Sequence, residues 1–273
     1  MTTGTDIINR FERYASPQLA ESWDHVGVQV GNPNQTVTKL MTTLDVRPAV
    51  VDEAIKKGVD FIFAHHPVMF KPAKNLDTRD PQNAMYAKLL ANQITVYAAH
   101  TNLDTANNGM NDWLAAQLGL TNCVPLVDAG NDPVSGCPVG MGRVGDLPQP
   151  LSVQDFTRIC LGAFGVAGVR LVTPKDGPEL ISRVAILGGS GSEFYPQAQA
   201  SGAQAYVTGD VSYHTAHDIQ ASGLVVVDPG HHIEVIAAKK LAALLNTWKK
   251  EEQWDLTVEE SQVNTEPFVF VTA

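Results

Sequence analysis

The sequence is poor in features that would quickly assign it a class. It has only three cysteines, Cys123, Cys137 and Cys160, and no two are spaced as CxxC. An odd number cannot all pair within one chain, which argues against a disulfide scaffold and for a reducing compartment. No apolar run approaches the ~20 residues needed to cross a bilayer, so a membrane is not an expected partner. The opening stretch, MTTGTDIINRFERY, has no basic segment leading into an apolar run, so no signal peptide is expected and the cytoplasm is the expected location. Lysine and arginine total 19 against 29 aspartates and glutamates, a formal net charge of −10. Without a basic cluster, a surface that tracks a phosphate backbone is not expected, and nucleic acid is not an expected partner. Neither a Ser-His-Asp signature nor a dinucleotide-binding fingerprint is present.

Short β-branched runs alternate with amphipathic stretches, which predicts an α/β fold. Strands are expected at 37–44, 60–64 and 95–99, with helices over 48–57, 81–92 and 108–118 between and after them. Residues 122–150 are rich in Gly, Pro and Asp and read as a linker or elaborate loop between two lobes. The rhythm then resumes with a helix over 153–164, strands at 169–172, 183–187, 205–207 and 224–227, and a last helix over 232–248. In that helix Leu241, Leu244, Leu245 and Trp248 share one face and belong to a core. The division expected is a first α/β lobe over 1–125 and a second, similar lobe over 126–273, with the C-terminal segment able to pack back on the first.

Three strand ends carry unusual polar groups. Phe61-Ile62-Phe63-Ala64 leads to His65-His66, Tyr97-Ala98-Ala99 leads to His100 and then Asp104, and Val227-Asp228-Pro229-Gly230 leads to His231, His232 and Glu234. Carboxyl ends of strands are where open α/β sheets bind ligands. His231 and Glu234, three residues apart at a helix start, can reach the same ion. Five of the eight histidines sit at these ends. Mixed imidazole and carboxylate donors suit zinc, iron, manganese, cobalt or nickel and fit calcium poorly. The turn GGSGS, made of Gly188, Gly189, Ser190, Gly191 and Ser192, joins a strand to a helix and could cradle a phosphate or carboxylate with its backbone N–H groups.

The segments AESWDHVGVQVG (20–31), AHHPVMFKP (64–72), AAHTNLDTANNGMN (98–111), TGDVSYH (208–214) and GHHIEV (230–235) resemble the dinuclear-metal-centre proteins labelled GTP cyclohydrolase I type 2 homologues, the Nif-three-like family. The resemblance runs over nearly the whole chain and in the family's order. It implies two similar α/β lobes with a dinuclear metal site in the cleft between them. His65, His66, Asp104, His231 and Glu234 then look like ligands, Asp104 as the bridging carboxylate. It also implies a homo-oligomer, a ring-shaped hexamer, and places His214 near the cleft. His25 departs from the family's usual Asn after the WD pair, and a structural role is the expected one. His232 is expected to support the site from behind, and His217 to be a surface residue.

Two divalent cations facing Asp104 and Glu234 would retain net positive charge, so an anionic small-molecule substrate is expected, and the family label implies that it could be nucleotide-like. The first reading is a metal-dependent hydrolase with hydroxide as nucleophile and His100 as proton shuttle. The alternative is a metal-binding scaffold or metal-handling protein without turnover.

Overall fold

Parallel strands made of unbroken apolar residues need cover on both faces, and two such groups of strands organise the chain. The computed structural model describes residues 1–271 and falls into two units. The first unit comprises Met1–Leu103 with Val235–Thr265, and the second Asp104–Glu234 with the residues from Glu266 onward.

In the first unit, β1 (Gly27–Val30), β2 (Lys39–Thr43), β3 (Phe61–Ala64) and β4 (Thr95–Ala98) join a late strand, Thr257–Glu260, in one sheet. Its order is β1-β4-β3-β2 and then the late strand; only β1 runs antiparallel to its neighbour. Every residue of β3 and β4 is buried, which is why both read as continuous apolar runs. The register pairs Thr43 with Ala64 and Ala64 with Ala98, so three parallel strands end level. Asp45, His65, His66 and His100 leave the sheet at that one edge.

Helix Ile236–Glu251 covers this sheet, anchored where the Thr42 hydroxyl donates to the carbonyl of Ala238 at 2.7 Å. Leu241, Leu245 and Trp248 are buried on it, and Trp248 packs against Tyr14 with ring centroids 5.4 Å apart. Helix Gly4–Glu12, absent from the elements expected above, opens on a capping box between Thr3 and Asp6 and buries Ile7, Ile8 and Phe11 on one face at helical spacing. The edge strand β1 and the late strand, four residues each and only partly buried, are too short and too polar for periodicity to find.

The second unit holds β5 (Thr121–Asn131), β6 (Pro138–Ser152), β7 (Arg170–Val172), β8 (Leu180–Ile186), β9 (Ala205–Val207) and β10 (Val225–Asp228) in the order β5-β6-β8-β9-β10-β7. Its core is again parallel: β8, β9 and β10 end level, Ile186 beside Val207 and Val207 beside Val227. The turn at Gly188, the segment Thr208-Gly209-Asp210 and the turn to His231 all follow from that edge.

Residues 122–150 correct the linker expectation. They form the antiparallel β5–β6 pair, strands of 11 and 15 residues, at the edge of the second sheet. Of the glycines that suggest a loop, Gly140, Gly142 and Gly145 are there for close packing, whereas Gly130 and Gly136 take left-handed backbone with open space around them. A Cβ on Gly140 would fall 2.0 Å from the carbonyl oxygen of Val127 on the opposite strand.

Arg143, 2% exposed, locks β6 to helix Met110–Gln117. Its Nε and Nη2 donate to the two oxygens of Asp112, both at 2.7 Å, while Nη1 donates to the carbonyls of Gly140 and Gly142 and Nη2 to that of Ala106. The planar guanidinium is thus satisfied on all sides, the condition under which a buried charge is tolerated. Among the described residues no helix is long and apolar enough to cross a membrane. Arg143→Ala leaves Asp112 and three carbonyls without their donor and should lower unfolding free energy by about 3–5 kcal/mol in urea titration. Lys88→Ala, which breaks the exposed pair with Asp52, should change it by less than about 1 kcal/mol.

Candidate metal centre

The first unit gathers three imidazoles. His65, His66 and His100 each place one ring nitrogen within 4.8 Å of the others. What fixes them is the other nitrogen of each ring. His65 Nδ1 donates to the carbonyl of Ala99 at 2.7 Å, His66 Nδ1 to Asp45 at 2.8 Å, and His100 Nδ1 to Asp24 at 3.0 Å. A carbonyl or ionised carboxylate only accepts, so Nδ1 carries the proton and Nε2 presents its lone pair. His65 is fully buried, whereas the side chains of His66 and His100 keep 18% and 15% of their surface.

The two supporting carboxylates are themselves held. Asp24 also accepts from the amide and hydroxyl of Thr101, and Asp45 from the hydroxyl of Thr265. Burial pushes the Asp24 carboxyl up, but the hydrogen bond and charge of His100, with both Thr101 donors, outweigh it and hold the group at about 2. Asp45 is likewise pushed up by burial and brought down to about 2 by His66, Thr265 and Arg47. Both stay ionised far below neutrality. The stability they lend is present above the ordinary carboxylate value of 3.8 and lost as the pH falls towards 2.

The second unit repeats the device. His231 Nδ1 faces Asp210 at 2.8 Å, and its Nε2 lies 3.2 Å from a Glu234 oxygen. The pair sits on the 3₁₀ turn His231–Val235, with Glu234 buried. Asp210 reaches His231 from a left-handed backbone (φ 54°), a conformation Asp tolerates better than most residues. Asp104, buried on the short helix Thr101–Thr105, has its carbonyl held by the Asn111 amide at 3.0 Å; the Asn111 oxygen in turn accepts from the amide of Gly188 at 3.0 Å.

That contact explains part of the glycine turn. A Cβ on Gly188 would fall 2.7 Å from a Glu234 oxygen, so the backbone there must be bare for the carboxylate to lie where it does. Gly189 also borders Glu234 and His231, and Gly191 is packed against Thr208 and Tyr206. Ser190 is exposed and Ser192 half-buried.

The remaining histidines are not among these tethered rings. His214 and His217 are exposed on helix Tyr213–Ser222, where both meet the ring of Tyr213. His232 has Nδ1 4.0 Å from Glu266. His25 is exposed, and its carbonyl accepts from the Gln29 amide at 2.6 Å. The sequence alone assigns no role to Asp24, Asp45 or Asp210, although Asp24 and Asp210 lie within the segments quoted above; for Asp45 and Asp210 a further signal is position, two or three residues past the end of a parallel strand.

The donors within each unit fit a borderline divalent ion: oriented imidazole nitrogens in one, an imidazole beside a carboxylate in the other. The profile of the Duf34/NIF3 (NGG1p interacting factor 3) family matches residues 2–267. A Streptococcus pneumoniae protein named GTP cyclohydrolase 1 type 2 homolog is 39% identical over 266 residues, covering 97% of this chain and 98% of that protein. A Bacillus subtilis protein of the same name is 29% identical across 98% of each; its alignment runs over 369 residues, so it carries sequence this chain of 273 lacks. Among solved structures, a Bacillus cereus protein related to NIF3 superposes with a TM-score of 0.92 at 28% identity, covering 99% of both chains.

Carboxylates that orient metal-binding histidines typically contribute 10–100-fold in affinity. Asp45→Asn and Asp210→Asn should therefore each weaken metal binding by about that factor in competition with a chromophoric chelator. His217→Ala should leave it unchanged.

Proposed function

The chain belongs to the Duf34/NIF3 family, and from that footing we propose that it is a metal-dependent hydrolase using two divalent transition-metal ions on an anionic, nucleotide-like small molecule. The observation that carries this reading is the tethering of His65, His66, His100 and His231 through Nδ1, three of them to carboxylates. Histidines that serve only packing do not need a common tautomer; histidines that serve an ion do.

On this reading His65, His66, Asp104, His231 and Glu234 hold the two ions. Zinc, iron, manganese, cobalt and nickel all suit such a set. When bound, the ions supply Lewis acidity and let water ionise near neutral pH. His100 moves the proton. Asp24 keeps its ring in place and in one tautomer, so Nε2 can accept a proton from water and return it to the leaving group. Asp104 and Glu234 offset only part of the cation charge, which favours an anionic substrate. Its phosphate or carboxylate would be met by the amides and hydroxyls of the Ser190 and Ser192 turn, with His214 as a further contact. The name carried by the relatives makes hydrolytic opening of a guanine nucleotide the first reaction to test.

The same reading takes the protein as a cytoplasmic homo-oligomer, a hexamer by family resemblance. Its cysteines among the described residues are free thiols, as a reducing compartment allows. Phe268, Val269 and Val271 are 75%, 88% and 93% exposed, apolar surface of the kind assembly covers.

Elemental analysis of protein purified without chelator should find about two transition-metal ions per chain, as a two-metal site requires. His66→Ala and Asp104→Ala should lose most of that metal. With GTP or another nucleotide as substrate, His100→Ala should keep the metal and slow turnover by about 10²–10⁴-fold. Full metal content without turnover on a broad panel of hydrolase substrates would instead assign a metal-handling role. Light scattering at micromolar concentration should show a mass several times 29.4 kDa; a monomer alone would reject the assembly.

A further inference from the structure

Large aromatic side chains are seldom left in water without a use, and two stand together beside the imidazole cluster. Trp23 is 54% exposed and Phe70 62%. Their ring centroids are 6.0 Å apart with an interplanar angle of 59°. Trp23 also meets the His100 ring nearly edge to face, with centroids 6.0 Å apart at 75°. With Asp24, His25, Pro67 and Met69, the two aromatic rings border a shallow crevice of the first unit of about 10 Å³, room for a single water, so a flat ring would lie on the exposed aromatic surface and not inside it.

The crevice and the imidazoles share their backbone. Asp24, next to Trp23, is the carboxylate that holds His100, and Pro67 directly follows His66. Of the three imidazoles, His66 and His100 are those that keep some exposure, and Trp23 stands against the second of them.

We propose that Trp23 and Phe70 form a stacking platform for a planar heteroaromatic ring carried by the substrate, and that this platform selects which anions reach the imidazoles. The proposal rests on the anionic, nucleotide-like substrate of the hydrolase reading above; what the aromatic pair adds is the surface that would meet the ring. An alkyl substituent would be served by Leu or Ile. Here the surface offers two π faces, tilted so that a flat ring lying on the indole meets Phe70 at its edge, the arrangement aromatic quadrupoles favour. His25, exposed at the same crevice, offers an imidazole to the heteroatoms on the rim of such a ring.

The test uses two probes that differ by the ring, adenosine 5′-monophosphate and ribose 5-phosphate, titrated calorimetrically into the full chain after incubation with zinc and desalting. The adenine-bearing probe should bind at least about tenfold more tightly, since stacking of one base on an aromatic side chain contributes roughly 1–3 kcal/mol. Trp23→Ala should weaken it by about 10–100-fold while leaving ribose 5-phosphate affinity and zinc content unchanged. Trp23→Phe should recover part of the loss. Equal affinity for the two probes, no measurable binding of adenosine 5′-monophosphate, or an unaffected Trp23→Ala would each overturn the platform. A Trp23→Ala variant that binds normally but changes its sedimenting mass would also overturn it and assign the patch to a contact between copies. The two readings fail separately. A chain that takes up no zinc yet binds the adenine probe through Trp23 keeps the platform and loses the hydrolase; zinc uptake with no ring preference does the reverse.

Discussion

Everything at the candidate centre depends on one constraint of parallel β-structure: strands that pair in register and end level must release the chain at a common edge. In the first unit that edge is set by Thr43, Ala64 and Ala98, and in the second by Ile186, Val207 and Val227. Apolar burial of the strands fixes the register, because a slip of one residue would turn buried side chains outward. Polar residues placed just beyond the last apolar one then converge without any long-range instruction. A histidine two residues past one strand and an aspartate two residues past its neighbour become a hydrogen-bonded pair, as Asp45 and His66 do.

This logic explains what was legible in the sequence. Buried runs such as FIFA and TVYA are self-announcing, and the residues that follow them were read as candidate ligands directly. Helix Pro48–Lys57 and helix Val153–Phe164 were equally plain, since proline or a serine cap opens them and glycine closes them. The supporting aspartates were not plain. Asp24 and Asp210 lie in segments quoted for their family likeness, but nothing local marks either of them, or Asp45, as the partner of a particular imidazole; that role exists only once the fold brings them together. The β5–β6 pair was missed for the opposite reason. Its glycines carry a strong local signal for a loop, but at Gly140, Gly142 and Gly145 they mark places where neighbouring backbone and side chains leave no room for a Cβ. The same ambiguity surrounds Gly188, where a residue that reads as a turn former is also the space into which Glu234 fits.

Arg143 shows a different way of joining elements. Apolar packing tolerates small shifts, whereas a guanidinium with acceptors on all sides admits one arrangement. By fixing β6 to helix Met110–Gln117, it also steadies Asn111, which bridges the Asp104 carbonyl and the Gly188 amide. Stability of the second unit and placement of its carboxylates are therefore tied through a single helix.

The tethered rings have a consequence for discrimination among metals. Flexible donors adapt to whichever ion arrives, and affinity then follows the intrinsic order of the divalent series, with copper foremost. On the metal-dependent reading proposed above, imidazoles held at Nδ1 by Asp45 and the Ala99 carbonyl in the first unit would resist swinging to meet a square-planar preference. Such a scaffold would filter by angle, giving an ion that binds strongly to loose histidines little advantage over one whose geometry the rings already match.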